Sequence, residues 1–350
     1  MQKAIFPIML LLVATVCNIF VAAGPPKEIW NNLESIMATA IQNTTFPGAV
    51  FLVADRKWGI LYSNAFGRFT YDPSSPPMTL GSKFDVASVS KVIGATSATA
   101  LLYQKGLLRL EDRVTKYFPD FGVNGKEGIT IENLLLHNSG FAPDPRPDYS
   151  AKEFGCPASQ EYNPPQVWTC SQRIYNSWIN ETLENKIGQT YVYSDLSMIS
   201  MMFVIGNIVM NNMDVLAMQP AYLRKDCMQQ SGIINHACYY EAFVRIHVLE
   251  NLLMGKSGFI PLPSEKANIP PTWMDTTFHH ELIQGYVSDT NCYALGGVSG
   301  HAGLFAPITD MYRFMNELMF RTRGGFLNET TFNMFTTVKN TAQSSRALGW

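Results

Sequence analysis

Residues 89–104 and 196–210 are apolar on every side, and this pair of stretches most narrows what the chain can become. A helix with no polar face has to lie inside a fold, so two of them require a core large enough to enclose both. The first carries Val92, Ile93, Ala95, Ala98, Ala100, Leu101 and Leu102 and stops at Gly106, a glycine suited to end a helix. The composition permits such a core: of 350 residues, 47% are hydrophobic and 15% charged, the profile of one or two globular units. The net charge is −2 and no run of Lys or Arg occurs. Neither nucleic acid nor an anionic membrane is therefore expected as a partner.

Around these helices the spacing predicts a first helix over 27–42, with Ile29, Leu33, Ile36, Met37 and Ile41 on one face. A β-hairpin follows, its strands at 48–54 and 58–67 and its turn at Asp55-Arg56-Lys57. The first strand is apolar on both faces, so helices should cover both. A short helix from Ile129 runs through Leu134, Leu135 and Leu136 to a turn at Ser139-Gly140. The stretch after it contains Pro143, Pro145, Pro147, Pro164 and Pro165 and reads as a surface insertion. Near the end, 307–319 reads as amphipathic, with Met311, Phe314, Met315 and Leu318 on one face.

Residues 1–23 have the three parts of a secretory signal peptide, with cleavage expected after Ala23. An uncleaved membrane anchor is the alternative, because the apolar run is about long enough to cross a bilayer. Losing Cys17 with the signal leaves Cys156, Cys170, Cys227, Cys238 and Cys292. In an oxidising compartment these suggest up to two disulfides and one leftover thiol, most simply Cys156 with Cys170 and Cys227 with Cys238. No C-x-x-C spacing points to zinc. Sequons begin at Asn43, Asn180 and Asn328, in keeping with secretion.

Ser88-Val89-Ser90-Lys91 is the one S-x-x-K in the chain. On a helix, residues three apart share a face, so Ser88 at the first turn has Lys91 one turn behind it. The free N–H groups and positive dipole end of a helix start suit an oxyanion. An apolar helix would also desolvate Lys91 and help it give up a proton. A solvated helix start, with Lys91 reaching out to water, is the plainer alternative.

Beyond this motif, four segments resemble the class C β-lactamase-like, or β-lactamase-related, serine hydrolases of the penicillin-binding-protein superfamily, in their order and neighbourhoods. They are Phe84-Asp85-Val86-Ala87-Ser88-Val89-Ser90-Lys91, Leu134-Leu135-Leu136-His137-Asn138-Ser139-Gly140, Tyr193-Ser194-Asp195-Leu196, and Gly296-Gly297-Val298-Ser299-Gly300-His301-Ala302-Gly303-Leu304-Phe305. Phe46-Pro47-Gly48-Ala49-Val50 is similar as well. The resemblance thus runs along 24–350 as one domain, apart from insertions near 142–185 and 213–250. It implies an α/β (α+β) fold, an antiparallel sheet flanked by helices with a mostly helical region inserted, and a site at their junction. By the same resemblance Ser88 would attack a carbonyl while Lys91 and Tyr193 exchange its proton, giving an acyl-enzyme that water releases. Family members include D,D-peptidases, β-lactamases and esterases. The implied partner is a small-molecule or peptide substrate, and no metal or organic cofactor is implied.

In the family the segments around His137 and His301 shape the site from loops, and these two histidines are expected to do so here. His301-Ala302-Gly303 imitates the family's K-T-G or H-T-G motif, but Phe305-Ala306-Pro307 is expected to lead into a helix, whereas that motif lies on a strand. Asp195 stands where the family usually has Asn. A carboxylate there can only accept hydrogen bonds and would favour the ammonium form of Lys91, biasing the site away from β-lactam hydrolysis. Two function classes stay open: an active hydrolase, and a secreted inactive relative serving as a binding or structural module. Intact Ser88, Lys91 and Tyr193 favour the enzyme. The chain is further expected to be incomplete at its C-terminus, and inactive as written. It contains no K-T-G or H-T-G, and Arg346-Ala347-Leu348-Gly349-Trp350 looks like the entry to the strands that would carry one.

Overall fold

Both all-apolar stretches are helical and interior in a computed structural model that describes residues 27–156, 170–225, 236–321 and 325–350. The expected signal segment, 1–23, lies outside the described residues. The chain divides into two compact units, Met1–Leu80 and Gly81–Trp350.

The first unit holds helix α1 (Lys27–Gln42) and a hairpin of β1 (Gly48–Asp55) and β2 (Gly59–Gly67). The strands pair antiparallel from Gly48↔Gly67 to Asp55↔Gly59. Asp55 closes the turn by accepting the Trp58 N–H at 2.6 Å, and Gly59 takes the φ of 71° that a side chain would resist. Helix α1 packs on β2, with Trp30 stacked on Tyr62 at 4.8 Å and the Tyr62 hydroxyl donating to Glu34 at 3.0 Å. Leu33, Met37 and Ile41, spaced four apart, are half-buried, while Ile29 and Ile36 are 51% and 65% exposed. The stripe in use is narrower than the face expected from spacing. Every residue of β1 is only half-buried, so the expected cover on both faces is not met. A two-stranded ribbon has too little neighbouring chain to close both its faces.

The second unit begins with β3 (Lys83–Asp85), followed by the helical run 89–104. That run has a π-helical segment, Lys91–Thr96, continued by α2 (Ser97–Gln104). Next come α3 (Ile131–Leu135), α4 (Ser171–Asn180), α5 (Asp195–Asn211) and α6 (His236–Phe243). Then follow β4 (Gly258–Phe259), β5 (Met274–Asp275), β6 (Glu281–Leu282), α7 (Thr290–Ala294), β7 (Leu304–Pro307), α8 (Ile308–Phe320) and α9 (Glu329–Thr336). Helix α5 is the axis of the core, buried at every position from Leu196 to Gly206. Helix α6 lies against it, so close that any side chain at Gly206 would collide with the His236 carbonyl. Strands β3, β7 and β4 form an antiparallel sheet with β7 in the middle.

Two local expectations change in part. The proline-rich stretch is exposed at Pro143, Asp144, Arg146, Pro147 and Asp148, as expected, but not throughout: Tyr149 within it is fully buried, as are Ile174 and Trp178 beyond it, because large aromatic side chains gain most by leaving water. In α8, Phe314 and Leu318 are buried but Met315 is 45% exposed. Its inner face is shared with Asp310, which accepts from the Lys256 N–H and the Ser257 hydroxyl, each at 2.9 Å. Phe305, Ala306 and Pro307 lead into α8 as expected, and do so from a strand, β7. Cys156 and Cys170 form the expected disulfide, and Cys292 is free and buried. Cys238 is disulfide-bonded too, while its expected partner Cys227 lies outside the described residues. Among the described residues no helix is long and apolar enough to cross a membrane.

Candidate active site

Ser88 is exposed in a tight turn between β3 and the buried helix. The turn is anchored on both sides by β7: the Val86 N–H donates to the Leu304 carbonyl at 3.0 Å, and the Leu304 N–H donates to Ser90 Oγ at 3.0 Å. Asp85 fixes it from a third direction, accepting the Ala87 N–H and the Ser288 N–H, each at 2.9 Å. Ala87 takes a φ of 46°, a left-handed conformation that costs a non-glycine residue energy. That turn presents the Ser88 side chain outward, whereas Ser90 points in and is fully buried.

Lys91 is 3% exposed, and its ammonium is surrounded by oxygen. Nζ donates to Ser88 Oγ at 2.8 Å and to the His301 carbonyl at 3.0 Å, and it pairs with Asp195 Oδ1 at 2.7 Å. The spacing of the S-x-x-K motif therefore does bring its two side chains together, with the helix N-terminus beside them. The Tyr193 ring lies 4.9 Å from the same Nζ. Its hydroxyl takes no partner among the described residues, and the residue is 37% exposed.

The Tyr193 loop is placed by the segment that contains His137. The Val192 N–H donates to the His137 carbonyl at 2.8 Å and the Asp195 N–H to the Pro143 carbonyl at 2.7 Å. Ser194 caps α5 by accepting the Ser197 N–H at 3.2 Å and donates to the Ala142 carbonyl at 2.7 Å. The Ser194 N–H donates to His137 Nδ1 at 3.0 Å, which leaves the ring proton on Nε2. Burial, with the charges of Arg346 and Lys91 adding to it, pushes the His137 imidazole down to about 3. A neutral ring that lies 4.8 Å from that of Tyr193 thus supports the loop.

His301 meets the site through its backbone, since its carbonyl accepts from Lys91. Its ring is held between Ser299 Oγ, 2.7 Å from Nδ1, and Asp289 Oδ1, 3.0 Å from Nε2. Burial alone would raise the Asp289 carboxyl; His301, the Cys292 N–H and the Lys91 charge overcome it and hold the group at about 2. Asp195, Asp289 and His301 bring ligand atoms within 4.8 Å of one another, a spacing that a cation could use. Lys91 already supplies one, on Asp195. Sequence reading did not single out Asp289, and it named Ser299 and Arg346 only within longer segments, with no role. The Arg346 guanidinium lies 5.0 Å from the Tyr193 ring and 5.8 Å from that of Tyr191. His301, Ala302 and Gly303 lie just before β7 and not on it, which keeps them apart from a motif carried on a strand.

Residues 33–210 match the profile of the Beta-lactamase family, a span that covers just over half of the chain and contains Ser88, Lys91, His137, Tyr193 and Asp195. The chain is 28% identical over 315 residues to the "Putative D-alanyl-D-alanine carboxypeptidase" of Escherichia coli (strain K12), covering 83% of this chain and 65% of that protein. Its likeness to the protein of that name from Salmonella agona (strain SL483) is 26% over 316 residues, with 85% and 65% covered. The chain thus spans about two thirds of the length of these relatives. Among solved structures, a penicillin-binding protein from Bacillus halodurans superimposes with a TM-score of 0.62 at 16% identity, over 89% of this chain and 82% of that one. The octameric penicillin-binding protein homologue from Pyrococcus abyssi gives 0.62 at 18%, over 91% and 64%. At such identities the structures speak for the fold, and the profile match speaks for descent: the chain belongs to the Beta-lactamase family.

Proposed function

We propose that this protein is a serine hydrolase that takes an acyl group from an ester, amide or peptide carbonyl onto Ser88 and releases it to water. The observation that carries the reading is the 2.8 Å contact between exposed Ser88 Oγ and the buried Lys91 ammonium. Ser88 Oγ attacks the carbonyl carbon and the resulting oxyanion faces the start of the helix. There the Ser88 N–H donates to no other group among the described residues, so it is free to stabilise that charge. Lys91, with three oxygens within 3.0 Å of Nζ, has no lone pair to offer in this state. It favours the Ser88 alkoxide electrostatically. The Ser88 proton then passes to Tyr193 as the Tyr193 hydroxyl gives its own proton to the leaving group, or to Lys91 after Lys91 has handed a proton to Asp195, and from Lys91 to the leaving group. Attack of water on the acyl-enzyme repeats the steps in reverse. His137 orients the Tyr193 loop.

The names of the E. coli and Salmonella relatives favour a peptide substrate. The carboxylate of Asp195 beside Lys91 favours such a carbonyl over a β-lactam, because an amide that could donate to the substrate is missing there. The Cys156–Cys170 disulfide and the exposed sequon residues Asn43, Asn180 and Asn328 favour passage through an oxidising secretory compartment.

Labelling of the full-length gene product with a fluorophosphonate or penicillin probe tests the proposal. Labelling that disappears in Ser88→Ala is expected. A folded wild-type protein that takes no label would contradict it and leave the inactive binding module as the reading.

A further inference from the structure

We propose that Asp289 and His301 are positioning residues for Lys91, keeping the proton-exchanging side of its amino group turned towards Ser88; the inference rests on the hydrolase reading above. Of the three oxygens around Nζ, the Ser88 hydroxyl and the Asp195 carboxylate can exchange protons, and the His301 carbonyl cannot. That carbonyl holds one N–H of Lys91 in the ammonium and in the amine form alike. A carbonyl has no proton to give, so this third direction always carries an N–H; the lone pair of an amine formed by proton loss to Asp195 can face only Asp195, where the proton left, or, after a third of a turn about the Cε–Nζ bond, Ser88 Oγ.

The peg is rigid because the His301 side chain holds its own backbone in place. The ring is 1% exposed and bonded at both nitrogens, to Ser299 and to Asp289. Asp289 is fixed in turn as the cap of α7, accepting the Cys292 N–H at 2.7 Å. Three residues past His301, the Leu304 N–H is tied to Ser90 on the helix that carries Lys91. Between them Gly303 has a φ of 104°, and a side chain there would strike the Gly297 carbonyl and Cys292 Sγ. Asp289 has a second influence: its charge and that of Lys91 act on each other directly. The other titratable groups facing the pair are Asp195, Tyr193, His137, Asp144, Asp85 and the buried Cys292 thiol.

The test is the rate of Ser88 labelling by a fluorophosphonate probe as a function of pH and probe concentration, in the full-length wild type, Asp289→Asn and Ser299→Ala, with melting temperatures measured alongside. Asp289→Asn can still accept from the Cys292 N–H and contact His301. It is expected to lower the maximal labelling rate about tenfold, leave probe affinity unchanged, and move the acidic limb of the profile to lower pH. Ser299→Ala, which loosens the ring without altering charge, is expected to lower the maximal rate several-fold with the limb in place. A purely structural role would lower the melting temperature and leave the rate and pH profile of the folded fraction unchanged, and that result overturns the inference while Ser88 still labels. A wild type without Ser88-dependent labelling overturns the hydrolase reading and this inference with it.

Discussion

Three lysines are buried in the second unit, Lys83, Lys91 and Lys126, and the surroundings of the last two differ in kind. Lys126 is fully buried and donates to three backbone carbonyls, those of Val123 at 2.9 Å, Ile179 at 3.0 Å and Glu181 at 2.6 Å. Lys91, 3% exposed, also has three oxygens around it, but they are a hydroxyl, a carboxylate and one carbonyl. Burial and hydrogen bonding are equally complete in both. Only the partners of Lys91 can take or give a proton, and only Lys91 stands beside an exposed nucleophile. Burial pushes Lys126 down to about 8, against the pull of Glu181 and Glu127, yet its carbonyls give that proton nowhere to go. Chemistry is marked by what the neighbours can exchange, and a buried charge by itself marks only structure.

The largest effect expected from this contrast is at the two serines on either side of Val89. Ser88→Ala should reduce turnover by at least about a thousandfold, since it removes the nucleophile. Ser90→Ala should keep most turnover per folded molecule and lose about 1–3 kcal/mol of stability, because the Leu304 N–H is left without its acceptor. Steady-state hydrolysis of a p-nitrophenyl ester and urea denaturation separate the two. Equal losses of activity would break the contrast.

Next come the lysines themselves. Lys91→Met should lower the rate by about 10² to 10⁴-fold. Lys126→Met should leave the rate of folded molecules unchanged but cost about 2–4 kcal/mol, as three carbonyls lose their donor. Thermal melts with parallel rate measurements read both. A rate loss at Lys126 would remove the distinction drawn here.

A smaller shift is expected from Asp195→Asn. Removing the carboxylate 2.7 Å from Lys91 closes the proton route through Asp195 and leaves the one through Tyr193, so it should lower ester turnover several-fold, move the acidic limb of the pH–rate profile to lower pH and improve β-lactam turnover relative to ester turnover. An unmoved limb with unchanged preference would show that Asp195 only fills space.

The smallest effect concerns buried histidines, again one near the site and one in the core. Burial pushes His236, packed among Phe118, Tyr175 and Phe203, down to about 4, while His137 falls to about 3. Between the ordinary histidine value of 6.5 and about 4, the unfolded chain binds protons that the folded chain refuses. Stability should then fall with falling pH, by about 1.4 kcal/mol per unit for each histidine. His236→Phe should halve the part of this slope that the pair contributes, as measured by urea denaturation at stepped pH.

The parts of the site that were legible in the sequence are those set by local geometry. Three-residue spacing on a helix joins Ser88 to Lys91, and the apolar runs announce the helices that bury the lysine. Asp289, Ser299 and Arg346 were not legible, because their meaning comes from packing across the chain: His301 reaches Lys91 over 210 residues. The one local sign at Asp289 is its place as an Asp just before a short helix, a capping position. Composition misled in part at the proline-rich stretch, where Pro143 and Pro147 are exposed as proline suggested while Tyr149 is pulled fully inward. It misled again at Met315 and Ile36, where apolar spacing counted residues that the packed stripe does not use.

The central claim is that Ser88 carries the acyl group, and peptide mapping of the protein quenched during turnover of p-nitrophenyl acetate tests it most directly. The account predicts an acetyl ester on the Ser88 hydroxyl, accumulating with a burst of nitrophenolate. Acetyl on another residue, or turnover with Ser88 never modified, would contradict it.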